Sequence, residues 1–168
     1  IDVPPTLVSF AVDVASYMDV VTPELKKAGN VLVEMDIEKD ENDIPVYENV
    51  LYMYDLLNKK IKEGKIQSAY AVGFGGIIEA VSKMAFGNKL GVELEDTVSK
   101  KDLVAKNYGA IILEVKAADL DQLGIPVKKI GKVIKEPVFT YKDVTITMEE
   151  ALAAWTKTLV KVFPTESS

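Results

Sequence analysis

The sequence contains no histidine and no cysteine. Without cysteine there is no disulfide, no thiolate nucleophile and no cysteine-based zinc site. The missing histidine removes more: the commonest general base, the Ser-His-Asp triad and every imidazole-ligated metal site. Chemistry in this chain falls to carboxylates, lysines, hydroxyls and backbone groups. The apolar runs stop well short of the ~20 residues a membrane span needs. The first residues show no basic stretch leading into an apolar one, so no secretory leader is expected either. The expectation is a cytoplasmic protein. Positive charge is scarce too: 20 Lys and Arg against 26 Asp and Glu leave a net charge of -6. That balance argues against non-specific nucleic-acid binding. It leaves a phosphate ligand open, because phosphate needs only local backbone N–H groups.

What remains is ordinary for a globular protein. At 168 residues, 48% hydrophobic and 27% charged, the chain suits one domain with a sizeable core. It opens on Ile1 rather than Met, so residues 1–168 are expected to be a single domain cut from a longer protein.

Periodicity places the elements. "PPTLVSFAVDV" (4–14) is β-branched and apolar and reads as a strand. "VTPELKKAGN" (21–30) reads as a turn. In "VLVEMDI" (31–37), Val31, Val33, Met35 and Ile37 alternate with Leu32, Glu34 and Asp36, a second strand. The acidic "EKDEND" (38–43) reads as a solvated loop. Asp43 is expected to cap a helix with Pro45 near its start, an inner stripe of Val46, Val50, Met53, Leu57 and Ile61, and a stop at Gly64. Ile66, Ser68, Tyr70 and Val72 then share one face of a third strand. The helix after it points Ile77, Val81, Met84 and Ala85 inward and ends at Gly87. "KLGVELE" (89–95) alternates as a strand. Ser99 and Asp102 resemble a capping box opening a short helix to Asn107. "GAIILEV" (109–115) is apolar throughout, a strand covered on both faces. A short helix spans 117–123. "PVKKIGKVI" and "PVFTYKDVTIT" supply further strands, with a turn at Lys142 and Asp143. Thr147 and Glu150 form a capping box before a last helix with Leu152, Trp155, Leu159 and Val162 inside. This irregular alternation predicts an α/β (α+β) fold, a mixed sheet flanked by helices.

One stretch invites a functional reading. "QSAYAVGFGGIIEAVSKMAF" (67–86) passes from strand to helix through Gly73, Gly75 and Gly76. A helix start leaves N–H groups unpaired and carries partial positive charge, and glycines let an anion approach it. Gly73, Gly75, Gly76 and Ile77 are therefore the candidate phosphate- or nucleotide-binding residues. The plainer alternative is a tight turn, or room for a neighbouring helix. "GFGG" matches neither the dinucleotide fingerprint nor the P-loop, so both readings stay open.

Other residues carry paired readings. Thr22, Lys26 and Lys27 are a solvated turn or a phosphate contact. Asp13 caps a turn or faces a ligand. Trp155 is core or a contact to another domain. Glu114, mid-strand, points outward or pairs with Lys116 or Lys132. Tyr47, Tyr52 and Tyr54 suggest packing against a partner domain. No catalytic residue and no metal ligand is assigned.

Taken together, "PPTLVSFAVDV", "VTPELKKAGNVLVEM", "IQSAYAVGFGGIIEAVSKMAFGNKLGVEL", "YGAIILEV" and "IGKV" resemble one family over nearly the whole chain. It is the C-terminal-type domain of the aminoimidazole ribonucleotide synthetase superfamily, closest to the second copy in the long form of phosphoribosylformylglycinamidine synthase. The resemblance implies a three-layer, partly ferredoxin-like domain of a purine-biosynthesis ligase. That parent uses ATP, magnesium and glutamine to turn formylglycinamide ribonucleotide into the amidine. It implies companion domains, including a glutaminase, and a terminal helix and tail (148–168) leading toward the next domain. Catalytic groups of the family lie mostly outside this domain type, so the isolated piece is expected to be inactive and prone to self-association.

The family carries His-Asp-Arg-Ser-Asp-Gly-Gly at the glycine turn. Setting Gly75 and Gly76 on its paired glycines places Tyr70 at the His and Ala71 at the metal-binding Asp. Gly73 falls at the nucleotide-contacting Ser and Phe74 at the second Asp. The metal role implied by the family is thus absent here, while backbone N–H donation survives. Two alternatives compete: the equivalent domain of another ATP-using superfamily member, such as aminoimidazole ribonucleotide synthetase, and a non-enzymatic binding module.

Overall fold

The computed structural model describes residues 7–157. Seven strands form one sheet: β1 (Val31–Met35), β2 (Ile66–Ala71), β3 (Gly91–Leu94), β4 (Ile111–Val115), β5 (Lys128–Ile134), β6 (Val138–Tyr141) and β7 (Val144–Thr147). Their spatial order is β2-β4-β1-β5-β3-β6-β7. All neighbours are antiparallel except β3 and β6, which run parallel. Four helices pack on the sheet: α1 (Tyr47–Lys62), α2 (Gly76–Asn88), α3 (Lys100–Val104) and α4 (Met148–Thr156).

Strand alternation divides the core in two. Val31, Val33 and Met35 of β1 join Leu113 and Val115 of β4 against Met53 and Leu57 of α1. On the opposite face Leu32, Ile112, Ile130 and Val133 meet Ile77, Val81 and Met84 of α2, with Met148 of α4 beside them. The result is the mixed sheet between two helical layers that the sequence predicts.

Several local expectations need correction. Over 7–14 no strand forms, and Leu7, Phe10, Val12 and Val14 stand exposed. Strand composition supplies no edge to pair with, and no strand of this sheet pairs with the segment. Residues 4–6 of that expected strand lie outside the described residues, as do Leu159, Val162 and the tail 158–168. Asp43 does not cap α1. It sits in a turn at φ 61°, while Val46 precedes the helix without a side-chain cap. Asp40 organises that turn instead, accepting from the backbone N–H of Asn42 and Ile44. Ile66 faces α1 rather than sharing a face with Ser68, because the register shifts between them. Gly87 lies within α2, which ends at left-handed Lys89, and α3 stops at Val104 rather than Asn107.

Candidate functional site

The glycine turn joins β2 to α2, and two protein contacts explain its composition. Gly76 has φ +73°, and a Cβ there would sit 2.7 Å from the Leu103 carbonyl oxygen and 2.8 Å from that of Ala105. The backbone at the end of α3 therefore occupies the space that glycine leaves. At Gly75 a Cβ would meet the Glu79 carboxylate at 2.6 Å. The Gly75 N–H donates to Glu79 Oε2 at 2.6 Å, and the Gly76 N–H donates to the Gly73 carbonyl at 3.3 Å.

Glu79 also accepts from Lys83 Nζ at 2.5 Å, and Lys83 lies 5.9 Å from the centre of the Tyr70 ring. The Lys83 hydrogen bond, followed by that from Gly75, holds the Glu79 carboxyl below the usual carboxylate range. A charged carboxylate of the chain itself therefore covers the mouth through which an anion would reach α2. Ile77 is buried in the core beneath it, while Phe74 projects into solvent. Ala71 and Gly73 offer no metal ligand. Among the described residues no three acidic, histidine or cysteine side chains converge.

The basic turn at 22–30 is likewise committed internally. The backbone N–H groups of Lys26 and Lys27 donate to Glu114 at 2.8 and 3.1 Å. Asn30 Nδ2 and Ser68 Oγ complete the set at 2.7 and 2.8 Å. Glu114 is fully buried, and these partners replace the outward position or lysine pairing expected of it. Lys26 Nζ pairs with Glu24. Hydrogen bonds from Lys26 and then Thr22 bring the Glu24 carboxyl down to about 2. Asp13 accepts from the next N–H, that of Val14. Trp155 is half exposed and stacks on Phe86 with ring centres 5.2 Å apart. Tyr47 and Tyr52 are exposed, and Tyr54 donates to the Gly109 carbonyl.

Beside the glycine turn lies a cleft of about 630 Å³ that sequence reasoning missed. Ile77 forms part of its wall, with Glu34, Asp36, Asp102, Lys106, Asn107 and Lys128 supplying polar groups. Glu34 is 9% exposed and accepts from Asn107 Nδ2 at 3.2 Å. Asn107 is oriented from its other side by Lys39 Nζ, which donates to Oδ1. Burial first, and the nearby Asp36 and Asp102 charges, push the Glu34 carboxyl above its usual range. A signal did exist in sequence: Glu34 interrupts the face that Leu32 begins, the face turned toward α2.

No protein-family model matches the chain. It is 32% identical over 112 residues to the phosphoribosylformylglycinamidine synthase subunit PurL of Sulfurovum sp., covering 62% of this chain and 15% of that protein. PurL of Pelagibacter ubique is 26% identical over 174 residues, covering 89% and 22%. The chain thus spans less than a quarter of the length of these relatives. Among solved structures, PurLQS of Thermotoga maritima superposes with a TM-score of 0.68 at 14% identity, over 82% of this chain and 28% of that one. The fold is that of a PurL domain. Thermotoga PurL has also been solved in complex with ATP and with FGAR. The resemblance read from the sequence therefore holds in both kinds of comparison, sequence and structure.

Proposed function

We propose that this chain serves as a structural, non-catalytic domain of a PurL-type carbon–nitrogen ligase, presenting its glycine turn toward the nucleotide-handling interior of the assembly. The observation that carries the reading is the PurL likeness along the chain, in a sequence with neither histidine nor cysteine and with no cluster of three acidic side chains among the described residues. ATP activation of the formylglycinamide substrate and ammonia supply from glutamine then belong to companion domains or subunits, a glutaminase among them. Magnesium would be held there as well.

Phosphate contact through Gly73, Gly75, Gly76 and Ile77 belongs to the same proposal in a conditional form. Glu79 must first leave Gly75, since two negative groups cannot share one N–H donor. With Glu79 withdrawn, the first turn of α2 offers N–H groups and a favourable dipole end. The test is reconstitution. Amidine formation from formylglycinamide ribonucleotide, ATP and glutamine should be undetectable with the chain alone. It should appear when the chain is co-expressed with the companion domains and glutaminase of its ligase. Turnover by the chain alone, or failure to co-purify with those domains, would contradict the reading.

A further inference from the structure

Helix α1 carries large apolar side chains on two faces. Met53 and Leu57 are buried against the sheet. Away from the sheet, Tyr47, Leu51 and Tyr52 stand 71%, 67% and 61% exposed. Clustered on one surface helix, they differ from the scattered single apolar residues of an ordinary surface. Charge on the same exposed side is divided along the axis. Glu48 and Asp55 flank Leu51 and Tyr52, while Lys59 and Lys62 lie toward the end of the helix. These four exposed residues follow one another at spacings of seven, four and three, which places them on one face. Among the described residues Glu48, Asp55 and Lys59 join no ion pair, and Lys62 reaches Asp19 only at 3.9 Å. The helix dipole accounts for an acidic first turn and a basic last one, but Asp55 lies beyond its reach.

We propose that this face of α1 is the contact of a two-fold dimer, in which the α1 helices of two copies of the chain pack antiparallel. Leu51 and Tyr52 supply its apolar centre, with Tyr47 beside them. Antiparallel packing lays the Glu48 and Asp55 half of each helix along the Lys59 and Lys62 half of its partner, and the two-fold axis repeats that match. Parallel packing would set like charges side by side along the whole contact. The occupant is a second copy because the division of charge is complementary to itself: a face acidic at one end and basic at the other fits its own reversed image. Apolar burial supplies the attraction and charge sets the direction. A helix of 16 residues is about 24 Å long. That gives a contact smaller than the standard ~800 Å² per partner, so the dimer is a weak one. The proposal stands apart from the ligase reading, since no nucleotide or companion domain enters it.

The test is sedimentation equilibrium of the 168-residue chain, up to about 1 mM, beside two charge-reversed variants. One carries Glu48→Lys with Asp55→Lys, the other Lys59→Glu with Lys62→Glu. Wild type should dimerise, and each variant alone should do so about tenfold or more weakly. An equal mixture of the two should recover a mixed dimer at least as tight as that of wild type, because an all-basic face then meets an all-acidic one. Both variants keep a net negative charge, so unspecific attraction does not imitate this result. A second reading needs no change of charge. The chain has no cysteine, so a spin label on Asn58→Cys is unique. Mixed with isotope-labelled wild type, it should broaden the amides of α1 and spare those of residues 7–14. Wild type that stays monomeric, variants that associate as wild type does, a mixture no tighter than its parts, or broadening centred away from α1 would each overturn the proposal.

Discussion

Glu114 carries the largest single-residue consequence. Truncation by Glu114→Ala strands the N–H groups of Lys26 and Lys27 together with Asn30 and Ser68. The expected cost is about 3 kcal/mol or more, since each buried unsatisfied group costs ~1–3 kcal/mol. Glu114→Gln should cost less. Its NH2 can replace either oxygen, and Ser68 can rotate or Asn30 flip to accept from it, leaving one backbone N–H orphaned and a loss of about 1–3 kcal/mol. Urea melts of both variants check the ordering. Gly76 and Gly64 form a second pair. Both have positive φ, but a Cβ at Gly64 meets nothing within 4 Å. Gly64→Ala should cost about 1 kcal/mol for the left-handed backbone alone. Gly76→Ala adds a collision with the α3 backbone, for a total of about 2–4 kcal/mol. Glu34 makes the pH prediction. Its carboxyl is raised by burial, so the folded chain keeps that proton at pH values where the unfolded chain has lost it. Stability from this group is complete below the ordinary carboxylate value and declines as pH rises toward the raised one. Glu34→Gln removes that decline, so its thermal stability relative to wild type should improve steadily as pH rises above the ordinary carboxylate value. The sequence displayed Gly73, Gly75 and Gly76 plainly but could not show what fills the space beside them. That depends on α3 and Glu79 arriving from elsewhere in the chain or one helical turn on. Glu114 was legible as an anomaly in "AIILEV", whereas its donors lie 46 to 88 residues away.

At the scale of elements, α4 rests on a cap and one aromatic contact. Thr147 and Glu150 exchange hydrogen bonds as a full capping box, as the spacing predicts. Thr147→Ala should cost about 1 kcal/mol. Because Trp155 is the only tryptophan and stacks on Phe86 of α2, its fluorescence should report loosening of α4 before global unfolding. A coincident transition in fluorescence and circular dichroism would contradict that local role. Elements with strong periodicity, such as β1, α1 and β4, were legible because burial on defined faces dictates where apolar residues fall. Segment 7–14 shows the limit of this reasoning. Its alternation is as good as that of β1, yet a strand exists only when another edge accepts its hydrogen bonds, and that information is not local.

Over the whole molecule, exposed apolar side chains gather in segment 7–14, along α1 at Tyr47 and Leu51, and at Phe74, Val104 and Tyr108. Surface of this kind suits a domain that works against others. Sedimentation of the chain alone should show concentration-dependent association that salt does not abolish, because apolar contact rather than charge drives it. The PurL-like architecture was readable from the order of several stretches together, none of which decides the matter singly. Glu34 alone signalled itself by interrupting an apolar face; the cleft around it was not readable, since β1, β5, α3 and the loop after it meet there only in three dimensions. The most direct measurement of the central claim, that this domain is a scaffold whose phosphate-facing turn is held shut by its own carboxylate, is an NMR titration of the chain with ADP. The amides of Gly73, Gly75, Gly76 and Ile77 should stay silent in wild type and shift saturably, if weakly, in Glu79→Ala. Saturable shifts at those amides in the wild-type chain would contradict it.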